Sequence, residues 1–195
     1  MPSSASDPAL EAVARRISGA LLRLRTGSPF FAALSLFARF LPRPDIPTAS
    51  TDGRDVFYNP AFLAALPSPE LDAVLLHEVL HAALLHVGRR GSRDPWRWHF
   101  AAEIVVNGIV AAQPRMKLPA NTVRVAALEH LSVEEIYALI QPPKVIVCLD
   151  CLDPGAAPDE RESAALQAHW QLALRHAEAV ARSAGQGELP AGVER

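Results

Sequence analysis

The sequence predicts an α+β fold, mostly helical, with a small sheet placed just before its most apolar helix. Three observations carry this. Apolar residues recur at helical spacing in several stretches. One short β-rich run, Asp55-Val56-Phe57-Tyr58, follows a Thr51-Asp52-Gly53-Arg54 turn. The composition, 50% hydrophobic and 21% charged over 195 residues, suits one domain or one domain with a tail, and excludes disorder throughout. A net charge of -2 supplies no basic field, so no nucleic-acid partner is expected. The longest apolar stretch, Phe30 to Leu41, is interrupted by Ser35 and Arg39 and is too short to span a bilayer, so no membrane partner is expected either. Two cysteines exclude a disulfide-stapled scaffold. The first residues lack a basic region followed by an apolar one, so no signal peptide is expected, and the expected location is cytoplasmic.

Taken in order, Pro8 to Arg25 carries Leu10, Val13, Ile17, Leu21 and Leu22 at helical spacing after a Ser6-Asp7-Pro8 start. A second helix is expected from Pro29 to Phe40, and Pro42, Pro44 and Pro47 then impose an extended connection. The strand Asp55–Tyr58 has Ile46–Ala49 as its expected hairpin partner and ends at Asn59-Pro60. A buried helix is expected from Pro69 to Val87, with Ser68 as N-cap and Gly88 as the residue past its C-terminus. Asp94 and Pro95 open the next helix, which runs to about Ala112. Ser132 to Ile140 is a short helix with Glu135 in capping-box position. Lys144 to Cys148 reads as a strand, 152–161 as loop, Ala164 to Ala184 as a helix, and the Gly- and Pro-containing end as a linker.

The chemistry concentrates in His77-Glu78-Val79-Leu80-His81, an H-E-x-x-H inside the buried helix. Residues four apart lie about 40° apart around a helix axis, so both imidazoles project from one face and can grip one metal ion. Glu78 sits beside them as the candidate general base, able to deprotonate a metal-activated water. Buried ionisable groups are costly unless paired or metal-bound, which strengthens the pattern in so apolar a helix.

Catalytic zinc sites use three protein ligands. The candidates for the third are Glu103, His99 and His86. Glu103 is favoured: it is a lone carboxylate in the apolar run Ala101 to Val106 of the following helix, and it completes a His-His-Glu set. His99 and Asn107 lie four residues before and after it, on the same face, as candidates to steady a ligand by hydrogen bonding or to orient substrate. His86 falls about 180° round an unbroken helix from His77, and Leu84 stands where a metzincin motif needs glycine. It is read as a residue that supports a metal ligand from behind or as a helix C-terminal residue. The Asp55–Tyr58 strand is expected to be an edge that pairs with extended substrate, with Tyr58 either polarising a carbonyl or simply packing. Cys148-Leu149-Asp150-Cys151 has neither a second pair nor a nearby histidine, and reads as reduced thiols on a loop rather than a structural metal site.

Three stretches together carry a family resemblance: IPTASTDGRDVFYNPAFLAALPSPELDAVLLHEVLHAALLHVGRR, DPWRWHFAAEIVVNGIV and LSVEEIYALI. They resemble the metallopeptidase domain, of the HExxH kind, that stands N-terminal to VWA-like domains in many bacterial proteins, often encoded beside MoxR-type AAA ATPases. The resemblance runs from about Pro29 to Ile140 and more loosely to Arg195. It implies a zincin-like fold, Zn2+ as cofactor, His77, His81 and Glu78 as metal pair and base, and Glu103 and Asn107 at the family's downstream acidic position, where the usual residue is Asp. It also implies VWA-like and ATPase partners. Residues 1–145 would form the metallopeptidase domain, and 146–195 a loop, helix and linker leading to a VWA-like part. The expected function is a zinc-dependent peptidase acting on a protein or peptide. The alternative is a metal-stabilised peptide-binding or scaffolding module of a VWA/ATPase assembly.

Overall fold

The computed structural model describes residues 7–120, 122–141 and 159–185. They form an α+β fold dominated by helices, with one three-stranded sheet. Helix α1, Pro8–Gly27, starts where Asp7 accepts the Ala9 N–H at 2.9 Å. Its buried face, Val13, Ile17, Ala20 and Leu24, packs on the helices that follow. Helix α2, Pro29–Ser35, is shorter than the sequence predicts. The chain leaves it to become extended by Phe40, because Arg39 must lie beside the sheet: its carbonyl accepts from Val56 N–H at 2.8 Å and its guanidinium pairs with Asp55.

The sheet consists of β1, Phe40–Pro42, β2, Ala49–Thr51, and β3, Val56–Tyr58, in the order β1-β3-β2. The expected hairpin is present, with its partner strand moved from Ile46–Ala49 to Ala49–Thr51. The turn explains the shift. Asp52 Oδ1 accepts the N–H groups of Arg54 and Asp55, both at 2.8 Å, Thr51 Oγ1 accepts Gly53 N–H at 3.0 Å, and Gly53 takes φ +95°. So tight a turn leaves Thr51 opposite Val56 and Ala49 opposite Tyr58. Strand β1 runs parallel to β3 and was not read from the sequence; its Pro42 is tolerated because β1 is an edge. The strand expected at the edge, β3, is therefore the central one, and it has no free edge to offer a substrate.

Asn59-Pro60 ends β3 and also opens a helix the sequence reading missed, α3, Pro60–Ala65, in which Asn59 Oδ1 accepts Phe62 N–H at 3.1 Å. Arg16 of α1 donates to the carbonyls of Leu63, Ala64 and Leu66 at its C-terminal end. Helix α4, Ser68–Ala83, begins one residue past its cap: Pro67 holds the N-cap position, and the predicted cap Ser68 is already helical. Thirteen of its residues are buried, so it runs through the core rather than along its surface.

The helix expected to continue to Val87 breaks early. Leu85 takes φ 58°, ψ 33°, the left-handed region, and the chain restarts as the single turn α5, His86–Arg89, which contains Gly88. That conformation costs an L-residue roughly 1–2 kcal/mol. The carbonyls it frees are met: Arg89 donates to Leu84 O at 3.0 Å, and Trp98 Nε1 to His86 O at 2.7 Å. Helix α6, Pro95–Ala111, is capped by Asp94, which accepts Arg97 N–H at 2.7 Å, and packs against α4. Helix α7, Val133–Leu139, has the predicted Ser132–Glu135 capping box. Helix α8, Glu160–Ser183, starts four residues before the predicted Ala164, at an Asp159–Glu162 capping box. Its Trp170, Ala173, Ala177 and Ala181 join the main core built around α4 and α6, and Trp170 Nε1 donates to Gly53 O at 2.7 Å. The Lys144–Cys148 strand, Cys151 and the linker fall outside the described residues. Among those described, no helix is long and apolar enough to cross a membrane.

Candidate metal centre

Two helices packed together build the centre. His77 and His81 leave α4 from one face, and Glu103 meets them from the middle of α6. His77 Nε2 and His81 Nε2 are 3.0 Å apart, and each approaches Glu103 Oε1, at 3.1 and 3.2 Å. The three donor atoms thus form a nearly equilateral triangle. A tetrahedral ion with ligand bonds of about 2.0–2.1 Å has ligand-to-ligand edges of about 3.3–3.4 Å. The triangle is close to one face of that tetrahedron, so these residues fit a metal ion. Among the described residues this is the one His/Cys/Asp/Glu group with such geometry. The sequence-favoured third ligand, Glu103, is the one the fold delivers to the histidine pair.

Glu103 is 1% exposed. Burial by itself would raise its carboxyl, but the charge of His77 and hydrogen bonds from His77 and His81 outweigh it and hold the group well below the usual carboxylate range. Its second oxygen is held as well. Asn107 Nδ2 donates to Glu103 Oε2 at 3.2 Å and to Val123 O at 2.9 Å, which ties the carboxylate to the segment after α6. Asn107 therefore orients the Glu103 carboxylate, and the shared face of α6 made this legible. The part played by the Val123 carbonyl had no signal in the sequence.

At His86 the backbone departs from the unbroken helix that the sequence predicts. The left-handed Leu85 swings it inward, and its Nδ1 stands 3.0 Å from His81 Nδ1, behind that ring rather than on the far side of the helix. It is fully buried, and burial first, then the charges of His81 and Arg89, push its imidazole well below the ordinary value. His99 lies nearly parallel to His81, with ring centroids 6.3 Å apart and planes 25° apart. Glu78, next to His77 in the chain, is 1% exposed. Tyr58 is placed elsewhere. It packs with Val13, Ile17, Leu63 and Leu71 in a second core cluster, which supplies its buried environment.

The fold and the centre define an α+β protein with a candidate His-His-Glu metal site. A family profile described as "Putative metallopeptidase domain" matches residues 13–193, and the chain belongs to that family. No curated protein and no solved structure matches it.

Proposed function

We propose that this protein is a zinc-dependent peptidase of zincin-like, gluzincin type, with His77, His81 and Glu103 holding the metal and Glu78 as general base. The observation that carries the reading is the donor triangle of 3.0, 3.1 and 3.2 Å on two packed helices, with an acid next in sequence to one of its corners. Zinc bound there would polarise the scissile carbonyl and acidify a water molecule. Glu78 would accept a proton from the attacking water and return it to the leaving amine. Asn107 keeps Glu103 aimed at the histidines while this happens. The substrate is a protein or peptide. A VWA-like protein and a MoxR-type ATPase are the partners to test, in the cytoplasm.

One observation favours the second reading, a scaffold whose metal serves stability. His77, Glu78, His81 and Glu103 are all at most 3% exposed, so a substrate reaches them only if the fold opens. Glu78→Gln separates the two readings. The variant should fold and hold zinc as the wild type does. Peptidase chemistry then requires cleavage to fall by about 10²–10⁴-fold. Because an enclosed site can look inert on casein, the assay should include the candidate ATPase partner. Cleavage by Glu78→Gln at the wild-type rate would exclude the mechanism.

A further inference from the structure

We propose that His86 fixes the tautomer of His81, and that a single water in the cavity behind His86 completes the hydrogen-bond chain. The inference rests on reading His77, His81 and Glu103 as metal ligands. It follows from counting protons on four ring nitrogens. To bind a metal, His81 must keep the Nε2 lone pair, so its proton sits on Nδ1. That N–H points at His86 Nδ1, 3.0 Å away, which must then accept. The proton of His86 is thereby placed on Nε2. His86 Nε2 is buried and has no hydrogen-bond partner among the described protein atoms.

A buried N–H of this kind needs an acceptor. The space for one is present. His86 lines a cavity of about 10 Å³ bordered also by Arg89, Glu129 and Ser132. That is about the volume one water needs, and Glu129 and Ser132 are acceptors of the sort that hold buried water. Histidines that bind metals usually donate their second N–H to a carboxylate, a carbonyl or water. Here a neutral imidazole does that work, so His81 is oriented without a second buried negative charge beside Glu103. Two features hold His86 in place: the left-handed Leu85 that turns the chain inward, and Trp98 Nε1, which donates to the His86 carbonyl at 2.7 Å.

The test uses the full chain, with zinc as the probe. His86→Leu removes the acceptor and should weaken zinc binding by about 10–100-fold in competition with a chelator. His86→Asn places an amide oxygen near the Nδ1 position and should recover binding to within a few-fold of wild type. Nitrogen NMR of the histidine-labelled, zinc-loaded wild type should find His81 protonated on Nδ1 and His86 on Nε2. A crystal structure of that form should show a water on His86 Nε2. Wild-type affinity in His86→Leu, or a proton on His86 Nδ1, overturns the assignment, and the NMR result decides even if His86→Leu fails to fold. A wild type that takes up no zinc overturns the metal reading itself and this inference with it. That failure differs visibly from a zinc-binding wild type indifferent to His86.

Discussion

At the scale of single residues, the centre depends on one unusual backbone position. If α4 kept its helical geometry past Ala83, His86 would face away from His77, which is what its spacing in the sequence implies. Leu85 prevents this by adopting φ 58°. No property of a leucine in an apolar run announces a left-handed turn, since glycine or asparagine is the usual occupant, and Gly88 offered a false signal three residues on. His77 and His81 were legible as a pair because they sit inside an uninterrupted stretch of helix, where spacing fixes direction. Glu103 was legible because an isolated carboxylate in apolar surroundings demands partners. The Leu85 geometry predicts a stability pattern. Leu85→Gly removes the strain but frees the unfolded chain and loses side-chain packing, so it should stay within about 1 kcal/mol of wild type. Leu85→Ile keeps the volume but puts a β-branched residue at positive φ, and should cost about 1–3 kcal/mol. Equal denaturation midpoints for the two variants would contradict a left-handed Leu85.

At the scale of elements, capping chemistry marked some helix starts and not others: Asp94 before α6 and Ser132 with Glu135 on α7 behave as their sequence says, while the Asn59 cap of α3 and the Asp159–Glu162 box of α8 went unread. The strands were harder, because three-residue strands hold too little alternation to read. Strand β1 is set by a long-range partner, β3, rather than by its own residues. Helix α6 is also fixed by the segment that follows it. A Cβ added at Gly108 would stand 2.9 Å from both Cβ and Cγ of Glu129, whose carboxylate is already held by Arg124 at 2.6 and 2.7 Å. Those are not the free end of a flexible side chain, so Gly108→Ala must push the segment off α6. It should destabilise by about 1–3 kcal/mol, as overpacking does. Through Val123 and Asn107 the same displacement should also loosen Glu103 and weaken metal binding. Gly88 is the control: its added Cβ would meet nothing within 4 Å, so Gly88→Ala should gain about 0.5–1 kcal/mol from the unfolded state alone. Urea unfolding of both variants, with zinc titrations, checks the contrast, and a neutral Gly108→Ala would show that the segment yields freely.

At the scale of the whole molecule, a metal at this centre would clamp α4 to α6, the two helices around which the main core is arranged. An ion that binds only the folded state stabilises it by mass action, by about 2.7 kcal/mol at a free concentration one hundred times its Kd. For a chain of this size about 1 kcal/mol moves the melting temperature by roughly 2–4 °C. Chelation at neutral pH should therefore lower Tm by at least about 5 °C, as followed by circular dichroism. The effect should depend on acidity in a particular way. Glu103 is held well below the usual carboxylate range, so its own contribution is fully present above the unfolded value and is lost only as pH falls through the depressed one. It stays ionised in mild acid. The imidazoles of His77 and His81, by contrast, must be unprotonated to bind the ion, so acidification competes with the metal for them. The gap in Tm between zinc-loaded and chelated protein should thus narrow in mild acid, before Glu103 titrates. A gap that held constant until the carboxylates titrate would mean that the histidines are not ligands. No difference in Tm after verified metal removal would mean that the ion does not join the two helices at all.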